Sequence, residues 1–126
     1  HLPAEETAKA RSTPGPWVVH SSSCTVQPPF DRVARYWPGA GAYEVIADCR
    51  HAITGSASGE ANARLIAAAP ELYNSAVLES MFPLTTMEKQ KKAHAFAESL
   101  GWKHDMPLQH FADDYRHAAI AKAEGR

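Results

Sequence analysis

The chain has 126 residues and a near-balanced charge, 13 Lys and Arg against 14 Asp and Glu for a net charge of −1. That length suits one domain with a modest core. The charge excludes the basic surplus expected of a binder of bulk nucleic acid or of an anionic membrane, and it lacks the strong acidity of a DNA mimic.

Residues 1–12 read as a leader or a short exposed helix, with Pro3 at its start, Glu5 and Glu6 early and Lys9 late. Thr13-Pro14-Gly15-Pro16 cannot be helical. It delivers residues 17–20 as a first strand in which Trp17 is the core anchor. Residues 24–27 read as a second short strand, ended by Pro28-Pro29. Residues 31–37 read as a third, and Pro38-Gly39-Ala40-Gly41 closes a hairpin onto residues 42–49. In that returning strand Tyr43, Val45 and Ala47 alternate with Glu44, Ile46 and Asp48, the pattern of an antiparallel sheet covered on one face. Residues 13–50 are thus expected to hold a small antiparallel sheet of three or four strands.

Residues 51–59, rich in Gly and Ser, read as a flexible connector, although backbone amides ahead of a helix can also hold an anion. Ala, Leu, Arg and Glu favour a helix over residues 59–69, capped by Ser58 and burying Ala61, Leu65, Ala68 and Ala69 with Ile66 at the edge. Pro70 stops or kinks that helix and starts the next, over residues 70–81, with Leu72, Tyr73, Ala76, Val77 and Met81 inward. The expected element is a bent central helix over residues 58–82.

Residues 85–124 predict a C-terminal helical hairpin. Thr85 with Glu88 reads as a capping box, Ala93, Phe96, Ala97 and Leu100 share a face, and Gly101 ends the first helix. Lys89, Lys91 and Lys92 read as a solvated face. In the last helix, residues 107–123, Leu108, Phe111, Ala112, Tyr115, Ala118 and Ala119 occupy one side and His110, Asp113, Asp114 and His117 the other. The whole chain, 1–126, is read as a single α+β domain.

Residues with chemical potential are few. Asn62 and Arg64 are the polar positions of the central helix, and Arg suits bidentate recognition of an anion. Trp37, Phe82 and Trp102, at loop and helix ends, read as surface anchors for a partner. His110, Asp114 and His117 follow i, i+4, i+7 spacing and could converge on a metal, with His104 nearby. They lie opposite the apolar side, however, so they are read as facing water. Cys24 and Cys49 have no metal-ligand spacing and read as reduced thiols. Cys49 and His51 lack an orienting third group, and the paired carboxylates Glu5/Glu6 and Asp113/Asp114 fall on exposed helices. The expectation is no catalytic site and no cofactor. No apolar run approaches the roughly 20 residues that span a bilayer. No signal peptide is visible either, so the cytoplasm is the expected compartment.

Thr13-Pro14-Gly15-Pro16-Trp17 and the run ANARLIAAAPEL at residues 61–72 together resemble a family of small proteins encoded by tailed phages and prophages. The resemblance spans roughly residues 13–78 and leaves out the leader and the last two helices. It implies a non-catalytic accessory protein in the bacterial host cytoplasm. Such a protein would bind a host protein or protein complex and inhibit a defence system, as an anti-CRISPR or another counter-defence factor does. A core this small also leads to the expectation of a homo-oligomer. Three other readings stand beside it. One is an oligomeric sponge holding a nucleotide-derived signal in a basic, aromatic-lined interface pocket built from Asn62, Arg64 and the last helix. Another is a small metal-dependent enzyme using His110, Asp114 and His117. The last is a virion component.

Overall fold

The computed structural model describes residues 13–21, 30–50 and 55–126. The expectations for the leader 1–12, the strand 24–27, Cys24 and His51 lie outside these residues. In chain order the elements are β1 (Val18–His20), β2 (Arg32–Trp37), β3 (Ala42–Asp48), α1 (Gly55–Ala67), α2 (Ala69–Ser80), α3 (Met87–Ser99) and α4 (Leu108–Glu124). The fold is α+β, a three-stranded antiparallel sheet ordered β1-β2-β3 followed by four helices. No helix among the described residues is long and apolar enough to cross a membrane.

The β2–β3 hairpin turns where the Gly/Pro pattern places it. Gly41 takes the left-handed backbone (φ 63) that a side chain disfavours, and its N–H donates to Trp37 O at 2.8 Å. Further along the ladder, Ala34 pairs with Val45 but Val33 pairs with Ala47, so Ile46 is a bulge with no residue opposite. A bulge turns two successive side chains towards one face. Ile46 and Ala47 accordingly pack, with Trp17, Cys49 and Ile66, around the buried Val33, Ala63 and Ala67. Tyr43 and Val45 are exposed. The face expected to be buried in β3 is therefore the open one, apart from Ala47.

The helix lying on the sheet starts earlier than expected. α1 begins at Gly55, so Ser58 lies inside it rather than capping it, and part of the expected connector is helical. Its inward ridge is Gly59, Ala63 and Ala67, spaced i, i+4, i+8, while Leu65 and Ala61 face out. Small residues on that ridge bring the helix axis close to the sheet. A Cβ on Gly59 would lie 2.7 Å from Cys49 O. Glu60 pins the same end, accepting from Phe30 N–H at 2.9 Å.

Ala68 separates α1 from α2, and Pro70 sits in the first turn of α2, where a missing N–H costs nothing. The chain stays near-helical through the junction, with Leu72 N–H donating to Ala68 O at 2.9 Å. This is the expected break at Pro70. The buried residues of α2 are Ser75 and Leu78, however, and Tyr73 and Ala76 are exposed.

A second core lies among the helices, with Leu78, Ala93, Ala97, Trp102, Leu108 and Ala112 at its centre. The cap of α3 is Thr86, one residue after the expected Thr85, and its side chain accepts from Lys89 N–H at 3.1 Å. Ala93 and Ala97 are buried as expected, and Gly101 (φ 106) ends the segment, with Trp102 N–H reaching back to Ala97 O at 3.0 Å. α4 runs along α1, α2 and α3 and joins the two cores. Three polar contacts tie it to α2: Glu71–Lys122, Asn74–Tyr115 and Glu79–Arg116.

Candidate functional site

Asn62 and Arg64 sit two residues apart on α1 and point to different surroundings. Asn62 is exposed and lines a shallow depression with Asp48, Cys49, Arg50, Leu65 and Ile66. There Arg50 grips Asp48 through two nitrogens, with Nη2 at 2.6 Å, and Arg32 adds a contact at 3.5 Å. The Arg50 hydrogen bond holds the Asp48 carboxyl below its ordinary range, against a smaller opposing push from burial. Burial raises the Cys49 thiol, and Asp48 and Asp31 raise it further. A thiol held protonated is a poor nucleophile. Cys49 is free.

Arg64 instead turns towards the end of α4. It lines a groove of about 350 Å³ with Trp17, Val18, Val19, Ala67, Lys122 and Arg126. Gly125 closes α4 in the left-handed conformation (φ 75), and the Arg64 side chain lies directly against it. A Cβ at position 125 would fall 2.5 Å from Arg64 Cδ and 2.6 Å from Nε. Asn62 and Arg64 therefore do not form one grip. The groove of this single chain holds Arg64 and the end of the last helix but not Asn62.

The tryptophans divide as well. Trp37 lies at the end of the sheet, where Arg35 stacks over its ring at 4.2 Å and its Nε1–H donates to Glu44 Oε1 at 3.0 Å. Trp102 is only 7% exposed and is a centrepiece of the helical core, which corrects its reading as a surface anchor. Its indole N–H is satisfied by Met106 O at 3.0 Å, and the His104 ring stacks on it at 3.9 Å. A Trp after a helix-ending glycine reads as exposed in sequence, but the chain folds back there and buries it. Phe82 also packs against this core.

On α4, His110 and Asp114 approach to 3.5 Å, both exposed. His117 does not complete a set: among the described residues no group of three His, Cys, Asp or Glu side chains is placed to hold a metal. His110, Asp114 and His117, whose helical spacing could have gathered three ligands, are all exposed along one face of α4.

The surface that residue-by-residue reading missed is the outer face of the sheet. Strand alternation puts Val18, Ala34, Tyr36, Tyr43 and Val45 on it, away from α1. The His20 and Tyr43 rings lie 4.8 Å apart and the Tyr36 and Tyr43 rings 5.0 Å apart. Ala34, on the same face and flanked by Val18 and Val45, is buried. A second groove, of about 640 Å³, runs between Thr13-Pro14-Gly15 and Ala69-Pro70-Tyr73-Asn74. Here the Pro/Gly segment and the helix junction touch, since a Cβ on Gly15 would lie 2.9 Å from Pro70 Cβ. Arg35 Nη1 fixes that segment by donating to Pro14 O and Gly15 O.

No curated protein and no solved structure matches the chain. A family profile described as Salmonella phage P22 protein Y8K6 matches residues 6–126, which includes both C-terminal helices, and the chain belongs to that phage protein family.

Proposed function

We propose that this phage protein is a non-catalytic accessory factor that acts in the bacterial cytoplasm by covering a surface of a host protein, with a host defence machine as the target. The supporting observation is the outer face of the sheet. Val18, Tyr36, Tyr43 and Val45 are 42%, 45%, 53% and 51% exposed, and they adjoin one another across three strands. Among the described residues nothing packs over them. Contiguous exposed aromatic and β-branched side chains on a rigid sheet are the composition of a protein-binding surface. Tyr is well suited to such a role because it offers large contact area with few rotamers to immobilise. Membership of a phage family supports a host-side target.

The test expresses the protein in host strains that each carry one defence system and measures phage plating. The proposal expects plating to rise at least tenfold in one such strain, and the gain to vanish with the double substitution Tyr36→Asp and Tyr43→Asp. These are surface positions, so the variant should keep its fold, which circular dichroism checks. A folded variant with full activity would contradict the proposal.

A further inference from the structure

We infer that the groove beside Arg64 is a binding site for a small organic anion, a carboxylate or phosphate monoester carried on a flat apolar body. Three cations line it: Arg64, Lys122 and Arg126. Two of them are already neutralised, Lys122 by Glu71 at 3.1 Å and Arg126 by Glu124. Arg64 has no such carboxylate. Its guanidinium makes no hydrogen bond or ion pair with any described residue, and its Nε is buried without an acceptor. Nη1 and Nη2 are not among the buried atoms, so they are the donors left for an anion at the rim of the groove.

The site is also shaped. Gly125 is the residue that lets the Arg64 side chain lie flat against the end of α4. The walls opposite are apolar: Trp17, Val18, Val19 and Ala67. A volume of about 350 Å³ accommodates one aromatic ring with its acidic group. The negative end of the α4 dipole points at the same place and, with Lys122 and Arg126 already paired, is set against the Arg64 charge. The net attraction therefore comes from Arg64, which suits a ligand of low charge.

The experiment titrates the labelled protein with benzoate, phenyl phosphate and the neutral analogue benzamide, following the Trp17 indole and Arg64 side-chain N–H signals by NMR. The expected result is saturable shifts with at least one of the two anions and none with benzamide. Arg64→Gln should weaken binding at least tenfold, and Gly125→Ala, which displaces the guanidinium, should weaken it as well. Melting curves confirm that each variant is folded, and Arg64→Lys, which keeps the charge but loses the planar fork and should also weaken binding, serves if Arg64→Gln is not. The tighter of the two anions identifies the head group. Absence of shifts with both anions, equal binding of benzamide, or undiminished binding by folded Arg64→Gln would overturn the inference. The site shares Val18 with the proposed protein-binding face but uses none of Tyr36, Tyr43 or Val45, so the substitutions that test that face leave this site intact and the two readings fail separately.

Discussion

Single residues in this chain are set by what stands a few ångströms away. Gly59 lies inside α1, where glycine normally costs about 1 kcal/mol relative to alanine. Gly59→Ala should nevertheless destabilise the protein, by about 1–3 kcal/mol, because its Cβ would meet the Cys49 carbonyl at 2.7 Å and that backbone oxygen cannot swing away. Urea unfolding of the two proteins reads the sign directly. At the same end of β3, the Asp48 carboxyl is held below its ordinary range chiefly by the Arg50 hydrogen bond. A depressed carboxyl adds stability above the unfolded-state value and loses it as pH falls through the folded one. Arg50→Gln should therefore move the Asp48 titration upward, which carboxyl ¹³C chemical shifts measure, and bring the acid loss of that contribution to a higher pH. Asp48 is partly solvated, so the effect on global stability should be small.

Among the elements, those marked by caps, breakers and a face that includes a large side chain were legible in the sequence, and those marked by small residues alone or by irregular pairing were not. The helical hairpin follows from the spacing of Ala93, Phe96 and Ala97, the glycine at 101 and a threonine cap misplaced by one residue. The break before Pro70 follows from its missing N–H. The buried ridge of α1 was misread because Gly59, Ala63 and Ala67 carry almost no hydrophobic weight, while Leu65, which does, faces solvent. The open face of β3 was misread because strict alternation fails at the Ile46 bulge, an irregularity that no local motif announces. Arg64 was singled out from its type. Its partners Lys122 and Gly125 lie about sixty residues away, where only the tertiary fold brings them together. Two substitutions separate cap from core. Thr86→Ala should cost about 1 kcal/mol, the loss of one cap hydrogen bond. Trp102→Ala should cost about 3–5 kcal/mol, since it empties the centre of the helical core. Thermal melts of both variants test that ranking.

At the scale of the molecule, two small cores share one long helix. The sheet core is built on Val33, Ala63 and Ala67 and the helical core on Leu78, Ala97 and Trp102, with α4 lying along both α1 and α2. This arrangement spends the larger apolar side chains on the helices and covers the sheet on one face with a ridge of small residues. The other sheet face is left with Tyr36, Tyr43, Val18 and Val45 towards solvent among the described residues. On the proposed reading, this ring-bearing sheet face is the surface with which the phage protein meets its host target. The most direct measurement of that claim places a photo-crosslinking amino acid at position 43, or at the exposed Gln109 of α4, in protein expressed in host cells. The account predicts that one host protein cross-links from position 43 and not from position 109. It further predicts that this protein, purified, binds the wild-type chain and loses at least tenfold in affinity for Val45→Lys. Cross-linking from position 109 alone, or equal binding by folded Val45→Lys, would contradict it.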